Sequence, residues 1–287
     1  MTIEISKIKQ EKPIEELLRF GVINIDKPTG PTSFSVSNYI AKQLKLNKAS
    51  HMGTLDPQVT GVLPVLLGRA CRLSEYFMHK NKTYAGIMRI HKEVDDKTLN
   101  TAITKFIGKI KQLPPVRSAV KRAVREREIL SFDIIERDEK DKKDILFVTE
   151  VQAGTYIRKL IDDIGKEIGG AHMLELRRVK AGIFDEKKIY NLYEFDKAIE
   201  EFKKGNESSL REMIAPAEII SSFMPSIQLT NKYLIKKLLT GKPILKNEIK
   251  LPENVEKFCI FNGSSFIGIY TVVNEGNIVA RAEFIFN

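Results

Sequence analysis

The sequence predicts an α+β protein in two parts, a large mixed domain followed by a small β-rich one, and three observations predict it. Up to position 215 the apolar pattern switches repeatedly between the period of two of a strand and the period near 3.6 of a helix. Beyond that point three strand-like runs dominate, separated by Asn-Gly and Asn-Glu-Gly turns. An apolar content of 43% over 287 residues suffices for more than one core.

The elements follow in order. Val22-Ile23-Asn24-Ile25 reads as a buried strand entering the turn Lys27-Pro28-Thr29-Gly30-Pro31, after which Thr32 or Ser33 caps a helix with Val36, Ile40 and Leu44 on one face. Residues 84–90 alternate like a strand. Leu99, Ile103, Phe106 and Ile107 have helical spacing, with Gly108 as the stop. The charge-alternating residues 137–144 form a solvated tip between strand-like runs at 129–135 and 145–152, which gives a hairpin. Thr155 is positioned to cap the next helix, whose core stripe is Ile157, Leu160, Ile161, Ile164 and Ile168, ending at Gly169-Gly170. Breaks at 203–206, Pro216 and Pro225 divide the chain into domains 20–215 and 216–287. That second domain holds a short helix at 233–239, then strands at 258–261, 266–273 and 278–286, which imply a small β-barrel.

Composition bounds the partners. With 47 Lys+Arg against 37 Asp+Glu, a net charge of +10 and a pI near 9.4, the chain suits a polyanion such as RNA; a lysine-rich solvated surface accounts for the number equally well. Most of the excess lies upstream of position 216. Cys71 and Cys259 are far apart and lack ligand spacing, so a reducing compartment and two buried thiols are expected. There is no apolar run of membrane-spanning length, and residues 1–12 lack a signal-peptide core. A soluble cytoplasmic protein with no membrane partner is expected. With no metal-ligand cluster, phosphate-binding glycine loop or dinucleotide fingerprint, neither a metal nor a cofactor is expected.

Chemistry concentrates in Gly53-Thr54-Leu55-Asp56-Pro57, followed by Thr60-Gly61-Val62-Leu63-Pro64-Val65. Gly53 frees the backbone, Pro57 biases Asp56 away from helix, and Leu55 and Val62 flank it with apolar walls, so one carboxylate stands in a rigid turn. Asp56 is therefore a candidate nucleophile. The competing reading is an Asx-turn in which the carboxylate only accepts backbone hydrogen bonds.

The run from His51 to Val65 resembles the catalytic motif of the TruB-like pseudouridine synthases, which convert uridine to pseudouridine in RNA. Further blocks recur in that family's order: Gly21-Val22-Ile23-Asn24-Ile25-Asp26-Lys27-Pro28 leading to Gly30-Pro31-Thr32-Ser33, Lys82-Thr83-Tyr84, Gln112-Leu113-Pro114-Pro115, Gly154-Thr155-Tyr156-Ile157-Arg158, and Leu176-Arg177-Arg178 with Gly182 and Phe184. The resemblance covers residues 14–216. Within the family, Pro115-Val116-Arg117-Ser118-Ala119-Val120-Lys121-Arg122 and His172-Met173-Leu174-Glu175-Leu176 look like the archaeal and eukaryotic dyskerin-type branch. The resemblance implies a largely antiparallel catalytic sheet with a C-terminal PUA domain, on which residues 1–19 pack, and an archaeal source. It implies action on ribosomal RNA, with transfer RNA as a further substrate, within an H/ACA guide particle. The implied partners are the guide RNA, the substrate RNA, a zinc-ribbon-like subunit, a β-barrel subunit and a kink-turn binder. Guide-independent modification of transfer RNA and a non-catalytic RNA scaffold stand as alternatives.

The same resemblance distributes roles among residues. Arg158 pairs with Asp56, where the alternative is an exposed helix arginine, and a cation there offsets the desolvation that would blunt the carboxylate. Tyr84 stacks on an extruded uracil and its hydroxyl serves as a general base, Tyr156 is a second pocket aromatic and Leu176 an apolar wall; core packing is the alternative for each. His51 helps displace the target base, or decorates a loop; Ser50 and Met52 stand where the family usually has Gly and Ser around that histidine. Read from the residues themselves, the basic string Arg117, Lys121, Arg122, Arg125 and Arg127 forms a candidate phosphate track, and Arg177 and Arg178 a second contact with RNA backbone, one of which could be internal. Against the track stands a solvated strand face, because Glu126 and Glu128 are mixed into it.

Overall fold

The computed structural model describes residues 3–114, 122–251 and 254–287. Ten of the described strands form one sheet: β1 (Gly21–Lys27), β2 (Ala49–His51), β3 (Thr60–Leu67), β4 (Lys82–Ile90), β5 (Gly108–Gln112), β6 (Arg125–Arg137), β7 (Asp144–Val151), β8 (Ala171–Ala181), β9 (Phe184–Asp185) and β10 (Ile214–Pro216). Their spatial order is β10-β1-β3-β8-β4-β7-β6-β5, with β2 against β3 and β9 against β8. All these pairings are antiparallel except β3 with β8, which meet in parallel over Thr60↔Arg177 and Gly61↔Arg178.

That short parallel contact depends on a glycine. Gly61 has φ of 100°, in the region that favours glycine, and a Cβ there would lie 2.3 Å from the carbonyl oxygen of Arg178. Its absence lets β8 approach the start of β3, which is also the exit of the loop carrying Asp56.

The helices Ser33–Gln43, Asp96–Thr104, Ile157–Glu167 and Leu192–Lys203 feed Ile40, Leu99, Ile161 and Phe195 into one core with Leu63 and Val65 of β3 and Met88 of β4. A second core lies on the opposite side of β1 and β3, where Val22, Val62 and Leu66 meet Cys259, Phe261, Phe266 and Phe284 of the C-terminal domain. Burial on both faces explains why β1 and β3 read as continuous apolar runs, whereas β4, covered more fully on one face, alternates strictly.

The C-terminal sheet contains β11 (Ser226–Gln228), β12 (Ile244–Leu245), β13 (Lys257–Asn262), β14 (Ser265–Glu275) and β15 (Ile278–Ile285) in the order β11-β13-β14-β15-β12. Register shifts interrupt its ladders at Ile260/Phe261 and Ile269/Tyr270, and the helix Lys232–Leu239 closes a third core over Phe258 and Tyr270. The α+β class, the largely antiparallel large sheet and the small β-rich domain agree with the sequence reading.

Several local features differ from it. Helix Asp96–Thr104 stops before Gly108, which instead opens β5 at φ of 91°. Thr155 does not cap the following helix: its hydroxyl donates to the Gln152 carbonyl at 2.7 Å, and the N-cap position falls on Tyr156 with no side-chain cap. Helices Ile5–Glu11 and Ile14–Arg19 are additional. The second sends Ile14 and Leu17 into the main core, and between the two helices Lys12 pairs with the buried Glu218 at the inter-domain junction.

Candidate active site

Asp56 sits in the loop between β2 and β3, whose backbone is tied down from several directions. The ammonium of Lys27, fully buried, donates to the carbonyls of Pro28 at 2.8 Å, Pro57 at 3.0 Å and Val59 at 2.9 Å. Burial lowers its pKa, and the neighbouring charge of Asp56 opposes that shift. Ser33, also fully buried, donates to the Leu55 carbonyl at 3.0 Å and accepts the Leu55 N–H at 2.8 Å. From the other side Arg178 donates to Gly53 at 3.1 Å and Val62 at 2.8 Å. The loop is thus held by the side chains beneath it.

What remains free is the carboxylate. The Asp56 side chain is 58% exposed and pairs with the Arg158 guanidinium. Among the described residues no backbone N–H donates to that carboxylate, so the geometry is the ion pair and not an Asx-turn. Arg158 lies in the first turn of helix Ile157–Glu167. The apolar walls expected around it are directed elsewhere: Leu55 packs into the main core and Val62 into the second, both beneath the loop.

Tyr84 on β4 is buried and registers with Arg178 of β8 and Thr149 of β7. The Arg178 charge also interacts with the Tyr84 side chain across the ladder, so one residue links the tyrosine to both arms of the Asp56 loop. Leu176, half-buried, packs on the main core. His51 lies on β2 with Nε2 3.2 Å from Thr54 Oγ1 and Nδ1 3.5 Å from Ser37 Oγ. Burial, reinforced by the Arg178 charge, lowers its pKa below 6.5, so the ring is neutral at pH 7. The peptide of Tyr156 is held by Gln112.

The basic candidates divide. Arg178 is 1% exposed and cannot meet an RNA phosphate; it is a structural cation under the loop, which corrects its assignment to RNA backbone. Arg177 is engaged by Asp26 through two bonds of 2.9 and 3.0 Å and by Glu186 at 2.6 Å, which neutralises it locally. Arg122 is exposed and Arg125 half-buried at the start of β6, whereas Arg117 and Lys121 lie outside the described residues.

Two groups fall in the motif blocks of the sequence but receive no role there. Lys82 is buried, donates to the carbonyls of Met78 and Lys80, and has its pKa lowered to about 8 by burial and then by Arg178. Strand phase is a further signal for it, since Lys82 and Tyr84 share one face of β4. For Gln112 the block Gln112-Leu113-Pro114-Pro115 is the signal. Among the described residues no group of three or more His, Cys, Asp or Glu could hold a metal ion, and no helix is long and apolar enough to cross a membrane.

Comparison with known proteins places this geometry in context. Three family models match in succession: the DKCLD domain over residues 9–37, the N-terminal domain of TruB family pseudouridylate synthases over 41–157, and the C-terminal domain of tRNA pseudouridylate synthase B over 158–221. A Methanopyrus kandleri protein described as a probable tRNA pseudouridine synthase B is 45% identical over 222 residues, covering 77% of this chain and 65% of that protein. The chain spans about two thirds of the length of the curated relatives it matches at this level. Among solved structures, a chain in the crystal structure of a Cbf5-Nop10-Gar1 complex superposes with a TM-score of 0.87 at 34% identity, covering 97% of this chain and 88% of that one. A chain in the structure of an H/ACA RNP bound to a substrate RNA containing 2'-deoxyuridine gives 0.84 at 31% identity, covering 97% and 89%.

Proposed function

The chain belongs to the TruB family of pseudouridine synthases, and we propose that it isomerises uridine to pseudouridine in RNA as the catalytic subunit of an H/ACA guide ribonucleoprotein. Ribosomal RNA is the main substrate and transfer RNA a further one. Residues 20–215 form the catalytic domain and 216–287 a PUA-like domain that grips the guide. The likeness to a chain solved with Nop10 and Gar1, and to one solved with substrate RNA, supports protein partners and an RNA partner. The protein partners of this reading are a zinc-ribbon-like subunit and a β-barrel subunit, with a kink-turn binder on the guide RNA as a third.

The observation that carries the reading is the Asp56–Arg158 pair on the open tip of a loop whose base is locked. The two nucleosides are isomers: the bond from C1′ to N1 breaks, one from C1′ to C5 forms, and as C5 loses a proton N1 gains one. The Asp56 carboxylate at the nucleotide serves as nucleophile, with the Arg158 guanidinium paired beside it. Because a stacked base cannot reach the loop, the nucleotide is extruded, with Tyr84 as the plate for the uracil and Leu176 and Tyr156 lining its pocket. His51 helps to displace the target base. Arg122 and Arg125 begin the phosphate track.

With guide RNA, accessory proteins and a uridine substrate, the wild-type protein forms pseudouridine and Asp56→Asn does not; a fully active mutant would remove Asp56 from the mechanism. The description of the Methanopyrus kandleri relative favours a second reading, guide-independent action on transfer RNA. Conversion of bare transfer RNA at the rate seen with guide would select it.

A further inference from the structure

We infer that Gln112 is a positioning residue for the active site, locking the peptide of Tyr156 and through it the first turn of the helix that carries Arg158. The inference rests on the functional reading above for what that turn does, and on geometry alone for the lock.

Gln112 is the last residue of β5, the outermost strand of the large sheet, and its side chain is 2% exposed. Its Oε1 accepts the Tyr156 N–H at 3.0 Å and its Nε2 donates to the Tyr156 carbonyl at 3.2 Å. A single amide thereby holds both polar groups of one residue, as an adjoining strand would. Burying an amide is unfavourable unless it is hydrogen-bonded, and an apolar side chain would fill the same space without that requirement, so the two bonds account for a glutamine here.

The locked residue is the N-cap of helix Ile157–Glu167, and that helix has no side-chain cap. Tyr156 also receives the Leu160 N–H on its carbonyl at 3.0 Å, so fixing its peptide fixes the first turn. Arg158 is two residues further on. A cation is disfavoured at a helix N-terminus, so the helix dipole does not hold the guanidinium at Asp56; the backbone frame must. In this structure Gln112 supplies a recorded tie between that frame and the sheet.

The test compares Gln112→Met, which keeps length and loses both bonds, with Gln112→Glu, which keeps the acceptor and loses the donor. Misplacing a catalytic group by ~1 Å costs about 100-fold in rate. Gln112→Met should therefore lower kcat per folded molecule by about 100-fold with KM for the substrate RNA within about twofold, and Gln112→Glu should fall between it and wild type. In 15N-labelled protein without RNA, the Tyr156 amide should exchange with solvent faster in Gln112→Met. Unchanged kcat per folded molecule, or a loss explained wholly by a smaller folded fraction, would overturn the catalytic role, and unchanged exchange at Tyr156 would overturn the lock. A wild-type protein inactive on guided RNA would remove the functional reading instead, and the exchange rates would still decide the lock.

Discussion

The Asp56 loop is tied at its base and open at its tip, so substitutions at the two ends should separate stability from catalysis. Lys27→Met removes a fully buried ammonium that donates to three carbonyls, those of Pro28, Pro57 and Val59. The Pro57 carbonyl keeps the Gly30 N–H, and of the three acceptors only Val59 is a buried residue. Leaving a buried acceptor unsatisfied costs about 1–3 kcal/mol, so a net loss of about 2 kcal/mol is expected. At roughly 2–4 °C per kcal/mol for a chain of this size, that is a fall in Tm of about 4–8 °C. Asp56→Asn breaks a pair whose side chains are 58% and 54% exposed. Such a pair contributes about 0–1 kcal/mol, and Tm should move by no more than about 4 °C while pseudouridine formation is abolished. Thermal unfolding by circular dichroism and single-turnover assays on guided RNA read the two effects separately. If Asp56→Asn destabilises as much as Lys27→Met, the carboxylate is a strut of the loop and the nucleophile argument fails; if Lys27→Met leaves Tm unchanged, the carbonyl clamp does not hold the loop.

Two further outcomes follow from the same region. Lys82 has a pKa of about 8 in the fold against 10.5 for the free side chain, so the unfolded chain binds its proton more tightly and folding is penalised below pH 8. That penalty, ~3 kcal/mol, is relieved as pH rises towards 10.5, so urea unfolding should show wild type gaining this much on Lys82→Met across the window, and a flat difference would refute the buried charge. Gly61→Ala places a Cβ 2.3 Å from the Arg178 carbonyl at a left-handed φ, which should cost about 1–3 kcal/mol in strain and separate β3 from β8. Guided activity should fall more than stability does, and a fully active Gly61→Ala would show that this contact does not set the loop.

The fold was legible where one residue's surroundings suffice to determine it. The alternation of residues 84–90 gave β4, and the stripe from Ile157 to Ile168 gave the helix bearing Arg158. The helix Leu192–Lys203 was not foreseen, although its N-terminus has a capping box between Asn191 and Glu194. The site was legible only in part, because pairing is a property of register. Arg177 and Arg178 are adjacent and chemically alike in the sequence, yet on a strand they point to opposite faces: one meets Asp26 and Glu186, the other lies beneath Gly53. Which arginine goes inward follows from Tyr84 facing Arg178 across β4 and β8, and a bulge between Thr83 and Tyr84 shifts that register. Asp56 and Arg158 are 102 positions apart, so motif resemblance, not periodicity, linked them.

The net charge of +10 suggested a surface for RNA, but part of that charge serves the interior. Lys27, Lys82 and Arg178 are all buried, and they donate to carbonyls of the Asp56 loop, of Pro28 after β1, of Val62 in β3 and of the segment leading into β4. A loop rich in glycine and proline has few side chains with which to fix itself, and a buried cation can hold several carbonyls at once, which offsets some of its desolvation cost. These cations do not contact phosphate, so they release no counterions when RNA binds. The salt dependence of RNA affinity should therefore reflect exposed residues such as Arg122 and not the whole basic excess. The same arrangement places positive charge under the loop and leaves its single carboxylate exposed at the tip.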